Sequence, residues 1–257
     1  MLGKKLRKLA EMIVNTKGVY VLTGAGVSTE SGIPDFRSPG EGLWEKIDPI
    51  KYTTVQVLHE DPERFYRVGF VRFLKLKKAK PNRSHYALAV LEKHGYLQGL
   101  ITQNIDGLHS LAGSKNVWEI HGHLRSCRCL NCAKEHPWET LSVQLEEEHI
   151  PPLCPQCKGM LRPNVVLFGD PMPHFFFELE RELRKKCSLL IVIGSSLEVY
   201  PAAGLPRYAD ELVIINKQPT PYDLNACLVF HENCGEILIH LLDTLNISLE
   251  RTNNGFN

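Results

Sequence analysis

Four short stretches of the chain carry residue types that can do chemistry, and a pair of cysteine knuckles carries a fifth. Thr23-Gly24-Ala25-Gly26-Val27-Ser28-Thr29 leads on through Ile33-Pro34-Asp35-Phe36-Arg37. Glycines directly after an apolar run let backbone N–H groups approach a pyrophosphate, and Phe36 and Arg37 add an aromatic plane and a cation beside that cradle. The dinucleotide fingerprint wants a third glycine where Thr29 stands, so a tight strand-to-helix turn is an equal alternative. Gln103-Asn104-Ile105-Asp106 leaves a second apolar run; its polar groups suit a sugar or an amide, or else Asn104 and Asp106 only cap a helix. His121, in Glu119-Ile120-His121-Gly122, has an imidazole suited to general-base work near neutral pH. Ten other histidines make a packing or surface role the ordinary reading of any one of them. Gly194-Ser195-Ser196 offers two hydroxyls to a phosphate or ribose, or is simply a turn, and Asn216 closes a further apolar run.

The cysteines give the sharpest signal. Cys129-Leu130-Asn131-Cys132 and Cys154-Pro155-Gln156-Cys157 are separated by twenty-one residues. Two such knuckles hold four thiolates around zinc, which leaves no open coordination position, so the metal would be structural. Cys127 competes as a ligand, although the two-residue gap to Cys132 favours Cys129. Cys187, Cys227 and Cys234 show no pairing pattern and read as buried thiols.

These groups need elements to position them. Leu6, Leu9, Ala10 and Ile13 recur at helical spacing, which predicts an amphipathic helix over 4–16, stopped by Gly18. Short buried strands are expected at Val19–Thr23, Gly99–Thr102, Leu189–Ile193 and Leu212–Ile215, with helices such as Tyr86–His94 and Phe175–Lys186 between them. That alternation predicts an α/β fold, a Rossmann-like doubly wound parallel sheet. Residues 41–84 interrupt the rhythm as a helical insert, and 124–163 as a small metal-bound module. The parallel-sheet domain would then comprise 1–40, 85–123 and 164–245, the two inserts would form the small domain, and 246–257 would be a frayed tail.

Hydrophobic residues make up 43% of the 257-residue chain and charged residues 23%, an ordinary globular composition. The formal net charge of +1 sets up no global field for nucleic acid or an anionic membrane. The cationic run Leu74–Lys80 reads as a solvated helix end before Pro81. No apolar run reaches the roughly 18–20 residues a membrane span needs, and the N-terminus lacks a secretion signal, so a cytoplasmic address is expected. In that reducing setting metal ligation is favoured over disulfides.

Taken in order, Gly24 to Arg37, Gln103-Asn104-Ile105-Asp106, His121-Gly122, the four knuckle cysteines, Leu161–Asp170 and Gly194-Ser195-Ser196-Leu197 closely resemble the sirtuin family, in a compact prokaryotic-type form, from about residue 19 to 235. The resemblance implies a Rossmann-like NAD domain with a smaller domain made of a zinc ribbon and a helical insert, and an acetyl-lysine peptide entering between the two. It implies NAD contacts at Gly24, Ala25, Gly26, Thr29, Phe36, Arg37, Gln103 and Ile105. Asn104 would lie near the nicotinamide ribose, and Asp106 would hold the carboxamide. Gly194, Ser195, Ser196 and Asn216, with Lys217 and Asn233, would face the phosphates and adenosine. Val165, Phe168 and Val199 would border the acyl-lysine tunnel. The implied chemistry is NAD-dependent deacylation: nicotinamide leaves as the acyl oxygen attacks the ribose, His121 takes a proton from a ribose hydroxyl, and the products are free lysine, nicotinamide and O-acyl-ADP-ribose. Asn104, Asp106 and His121 would be the catalytic set.

Two departures from the family matter. Members that prefer acidic acyl groups carry Tyr and Arg three apart, whereas Tyr66 here is followed by Arg67 and, three on, by Gly69. Simple deacetylation is therefore favoured, with Phe65, Tyr66 and Phe70 able to admit longer apolar chains. Asp170 stands where the family often has Glu. The competing readings are a mono-ADP-ribosyltransferase, a zinc-ribbon binding module and a hydride-transferring dehydrogenase. An acylated-lysine protein is the expected partner, no nucleic acid is required, and the oligomeric state is open with a monomer as the expectation.

Overall fold

The computed structural model describes residues 2–35 and 48–249. Its strands are β1 (Val19–Thr23), β2 (Gly99–Thr102), β3 (Val117–Glu119), β4 (Gly122–Cys129), β5 (Glu135–Pro137), β6 (Leu161–Val165), β7 (Leu189–Ile193), β8 (Glu211–Ile215) and β9 (Leu228–Phe230). Six of them form a sheet of order β3-β2-β1-β7-β8-β9, in which every neighbouring pair is parallel. β1 and β7 are buried along their whole length, as strands covered on both faces must be. The pleat of β1 divides its side chains between two cores. Val19 and Val21 pack with the helices Leu2–Asn15, Arg83–Lys93 and Cys234–Thr244, whereas Tyr20 and Leu22 pack with Phe176, Leu179 and Leu183 of His174–Lys186.

Strand order reverses between β1 and β7, and there the two strand-end turns are pressed together. Gly24 N–H donates to Ile193 O and Gly26 N–H to Gly194 O at 2.9 Å. A Cβ on Gly26 would lie 2.9 Å from Gly194 Cα, and one on Gly194, whose φ is +62°, would lie 2.4 Å from Val27 N. The glycines are thus required by close approach of two backbones at the switch point. The amides of Gly24 and Gly26 are engaged in that contact. The chain then enters a short 3-10 helix, Ala25–Ser31, ended by Gly32 in the left-handed conformation.

The second sheet is antiparallel, β5-β4-β6, and it packs with the segment between β1 and Arg83–Lys93 around one core. Phe65, Tyr66 and Phe70 from that segment meet Cys127, Cys129, Trp138 and Leu161 there. Tyr66 donates its hydroxyl to Leu161 O at 2.5 Å, and Val55 N–H donates to Phe168 O at 3.0 Å. Phe65, Tyr66 and Phe70 are all buried, and of the three aromatics expected near an acyl chain Phe70 is the one that also borders the cleft at the carboxyl ends of the parallel strands. Cys187 and Cys234 are buried as expected; Cys227 is exposed, because it precedes the edge strand β9. The segment after Leu245 was expected to fray, yet Ile247 is buried and donates its N–H to Leu242 O, so the chain stays docked through Leu249. Residues 250–257 lie outside the described part. No helix among the described residues is long and apolar enough to cross a membrane.

Gly194→Ala is expected to lower the unfolding free energy by about 2 kcal/mol, the scale of one residue forced into left-handed backbone against a neighbouring chain. Chemical denaturation checks it, and an unchanged midpoint contradicts the close-approach account.

Candidate active site and zinc centre

A cleft of about 580 Å³ opens at the carboxyl ends of β1, β2 and β7, where ligands of open parallel sheets bind. The β1 and β7 turns contribute Gly24, Ala25, Gly26, Gly194, Ser195 and Ser196 to its walls. The β2 turn adds Gln103, Asn104 and Ile105, the β3–β4 turn adds His121, and the end of β8 adds Asn216. The lining also includes Val165 at the end of β6, Phe168 from the segment after it and Val199 after the β7 turn, joined by Phe70 and Phe73 from the helical segment. Fourteen of the expected residues therefore converge on one crevice. Thr29, Asp106, Lys217 and Asn233 are not among the lining residues. Thr29 Oγ1 donates to Gly26 O within its own turn, and Asn233 caps the helix Cys234–Thr244 through Glu236 N–H. Phe36 and Arg37 lie outside the described residues.

Hydrogen bonds fix the polar groups. His121 Nδ1 faces Gln103 O at 3.1 Å. A carbonyl only accepts, so Nδ1 carries the proton and Nε2 is left as the basic nitrogen. Burial holds the His121 pKa below the ordinary 6.5, the Gln103 carbonyl opposing in part, so the ring is neutral and able to take a proton at neutral pH. The Gln103 side chain meanwhile donates to Ser195 Oγ at 2.8 Å, so one residue ties the imidazole to the β7 turn. Asn104 is buried, and its amide donates to Gly24 O and Ser28 Oγ, both at 3.1 Å, which leaves its carbonyl oxygen as the group it can offer a ligand. Asp106 sits behind this wall and accepts from Ser28 Oγ at 2.8 Å and Leu108 N–H at 2.9 Å. Burial raises its pKa, against both of those hydrogen bonds. Its bond to Leu108 N–H closes an Asx-type turn just before the short helix Leu108–Leu111, whose N-cap is Gly107, and its link through Ser28 to Asn104 goes beyond that role.

A buried polar layer that sequence patterns did not single out supports these groups. His85 Nδ1 accepts from Asn82 N–H, and its Nε2 faces Ser28 Oγ at 3.4 Å. Burial pushes the His85 pKa down to about 4 and lowers that of His109, whose Nε2 lies 2.9 Å from Thr23 Oγ1. Ser28 was legible within its motif. His85 carried only the signal of a capping residue three positions after Asn82.

Cys129, Cys132, Cys154 and Cys157 bring their Sγ atoms within 4.8 Å of one another. Cys129 and Cys157 Sγ lie 3.4 Å apart, and Cys132 and Cys154 Sγ 4.0 Å, which bracket the edge of about 3.8 Å that a tetrahedral Zn–S₄ site requires. The backbone N–H groups of Asn131 and Cys132 point at Cys129 Sγ, and the Gly159 amide leads the interactions that hold Cys157 down to about 6. Such donors favour thiolates, so the set fits zinc. Cys127 stands apart, its thiol donating to Pro137 O, and burial pushes its pKa up to about 12. Cys127 is therefore no competitor for the metal.

Residues 24–201 match the model of the Sir2 family. The chain belongs to the Sir2 family. An NAD-dependent protein deacetylase 2 of Caldanaerobacter subterraneus subsp. tengcongensis is 52% identical over 232 residues, 90% of this chain and 92% of the relative. An NAD-dependent protein deacetylase of Thermotoga maritima is 38% identical over 95% of this chain and all of its own length. Among solved structures, a Sir2 enzyme with a deacetylated p53 peptide and 3'-O-acetyl ADP-ribose superposes with a TM-score of 0.89 at 37% identity, covering 95% of this chain and 99% of that one. A Sir2 enzyme with a p53 peptide and NAD⁺ gives 0.85 at 37% identity, with the same coverage.

Cys154→Ala is expected to drop the zinc stoichiometry of this Sir2-family chain well below one and to lower its melting temperature, because metal binding is folding free energy for the small three-stranded sheet. Atomic absorption beside a thermal melt reads both, and full zinc with an unshifted melt contradicts the assignment.

Proposed function

We propose that this Sir2-family chain uses NAD to remove acetyl groups from protein lysines, releasing nicotinamide, free lysine and O-acetyl-ADP-ribose. The observation that carries the reading is the position of His121. A neutral imidazole with its basic nitrogen unclaimed lines the same crevice as the glycine turns of β1 and β7 on one side and Val165, Phe168 and Val199 on the other. The residues fit a dinucleotide: polar groups of Gln103, Asn104, Ser195, Ser196 and Asn216 surround a strand-end cleft with no lysine or arginine in its described lining. NAD supplies a ribose whose anomeric carbon becomes electrophilic as nicotinamide leaves. His121 Nε2 then removes a proton from a ribose hydroxyl, while the Gln103 carbonyl holds the ring in the required tautomer. Asn104 offers an acceptor near the ribose, and Asp106 stiffens Asn104 through Ser28. Thr29, Phe36, Arg37, Lys217 and Asn233 complete the nucleotide contacts in this reading. Val165, Phe168 and Val199 exclude water from the acyl-lysine chain.

Residues 1–40, 85–123 and 164–245 act as the NAD domain, with 41–84 and 124–163 as the small domain. The relatives named NAD-dependent protein deacetylases support the chemistry, and a Sir2 enzyme solved with a propionylated peptide supports tolerance of short acyl chains. The absence of a basic field, at a net charge of +1, supports action on protein rather than nucleic acid, and the same reading has the chain working as a cytoplasmic monomer.

Two outcomes test the reading. His121→Ala should lower kcat for an acetyl-lysine peptide by roughly 10²–10⁴-fold, the usual weight of a general base, with zinc content and melting temperature unchanged. Near-normal turnover by that folded variant rejects the role. The unaltered chain should gain kcat/KM as pH rises, because only the deprotonated ring accepts a proton. Since burial lowers the His121 pKa, the midpoint should fall below 6.5. A midpoint above it would mean that another group limits the rate.

A further inference from the structure

The wall of the cleft opposite the glycine turns is a bare loop, Val165 to Asp170, and what shapes it is a buried ion pair outside the catalytic set. Arg162 lies on β6 with its side chain 4% exposed, and Asp170 at the far end of the loop is 14% exposed. The guanidinium binds the carboxylate at two points, Nη1 to Oδ1 at 3.2 Å and Nη2 to Oδ2 at 2.6 Å. The same Nη2 donates to Val165 O at 3.1 Å, where the loop begins. Asp170 Oδ2 in turn accepts from Leu167 N–H at 2.9 Å, and Asp170 N–H donates to Leu167 O at 3.0 Å. The pair therefore grips both ends and the middle of a six-residue turn. The loop is also tied to the site itself, because Val166 N–H donates to His121 O at 2.9 Å.

The electrostatics make this grip depend on one carboxylate. The half-buried Arg128 lies close enough that burial and Arg162 lower its pKa, while Asp170 and Glu135 oppose them. Arg162 Nε is buried without a hydrogen-bond partner. Removing the carboxylate leaves the Arg162 charge uncompensated, and the loop loses the acceptor that closes its turn at Leu167. Phe168 and Val165, which line the cleft, would then be free to shift.

We infer that Asp170 and Arg162 are positioning residues for the acyl-lysine substrate: they hold the Val165–Asp170 loop in the shape that receives it. The inference rests on the deacylase reading for its substrate and on the hydrogen bonds alone for the loop. It predicts a split in the kinetics, because the dinucleotide turns of β1, β2 and β7 make none of these contacts.

Asp170→Asn should raise KM for an acetyl-lysine peptide about tenfold, the scale of a displaced positioning group, while KM for NAD and kcat at saturating peptide change by less than about twofold. Amide hydrogen exchange at Leu167 and Asp170 should accelerate in the same variant. Asp170→Glu, which keeps the charge, should restore most of the peptide KM. If Asp170→Asn does not fold, the double variant Arg162→Met, Asp170→Leu removes both buried charges, and should fold with the peptide KM still raised. An unchanged peptide KM in either folded variant overturns the inference, as does an equal loss of NAD and peptide affinity. An unaltered chain without NAD-dependent turnover would sink the deacylase reading itself. Slow loop exchange that persists in Asp170→Asn would sink the positioning role whatever the activity.

Discussion

The close contact between the β1 and β7 turns is the constraint on which the site depends. In a parallel sheet that grows outward from β1 in both directions, the crossovers leave β1 and β7 on opposite faces, and a crevice opens at their carboxyl ends. The crevice stays narrow because Gly24, Gly26 and Gly194 allow two backbones to touch through paired N–H···O bonds. Once those turns are locked, the β2 turn beside them is placed by strand pairing. Gln103 then reaches both Ser195 and the His121 ring. The His121 imidazole is thus positioned by a chain of main-chain and amide contacts that begins at the switch point.

The parallel sheet was legible because its central strands are short, wholly apolar runs ending in glycine or polar turns, and burial on both faces demands that pattern. Edge and insert strands were not legible. β3, β5 and β9 are three residues each, too short for a period to declare itself, and β5 carries Glu135, His136 and Pro137. The contact between the two glycine turns was not legible, since a sequence shows that backbones must come close but not which backbone approaches. The helical insert was read from its aromatics, but which of them face the cleft depended on the antiparallel sheet they pack against. Tyr66 turned inward to reach Leu161 O, and Phe70 and Phe73 were left at the cleft.

Within the site, legibility followed the reach of each interaction. The four zinc cysteines act over short spacings, so their pattern survives in sequence, and the rejection of Cys127 required only the β4–β5 pairing that turns it toward Pro137. The polar layer joins Thr23 and Ser28, from the glycine-rich stretch, to His85 and His109, which come from segments far along the chain and carry no site pattern of their own. Nothing local marks His85 as the partner of Ser28. Only the fold brings them within 3.4 Å, and only burial depresses the His85 pKa to about 4.

The two walls of the cleft are held by different physics, and that difference decides what can vary. The wall formed by the β1 and β7 turns rests on glycines and main-chain hydrogen bonds, which tolerate almost no side-chain change because a Cβ would collide with backbone. The opposite wall rests on the Arg162–Asp170 pair, a side-chain device whose reach depends on carboxylate length and charge. Val166 N–H, bonded to His121 O, joins the two. A change in the carboxylate can therefore reshape the loop beside the substrate while the imidazole remains anchored through Gln103. One wall is thus fixed by backbone contact, and the other is shaped by a side-chain ion pair.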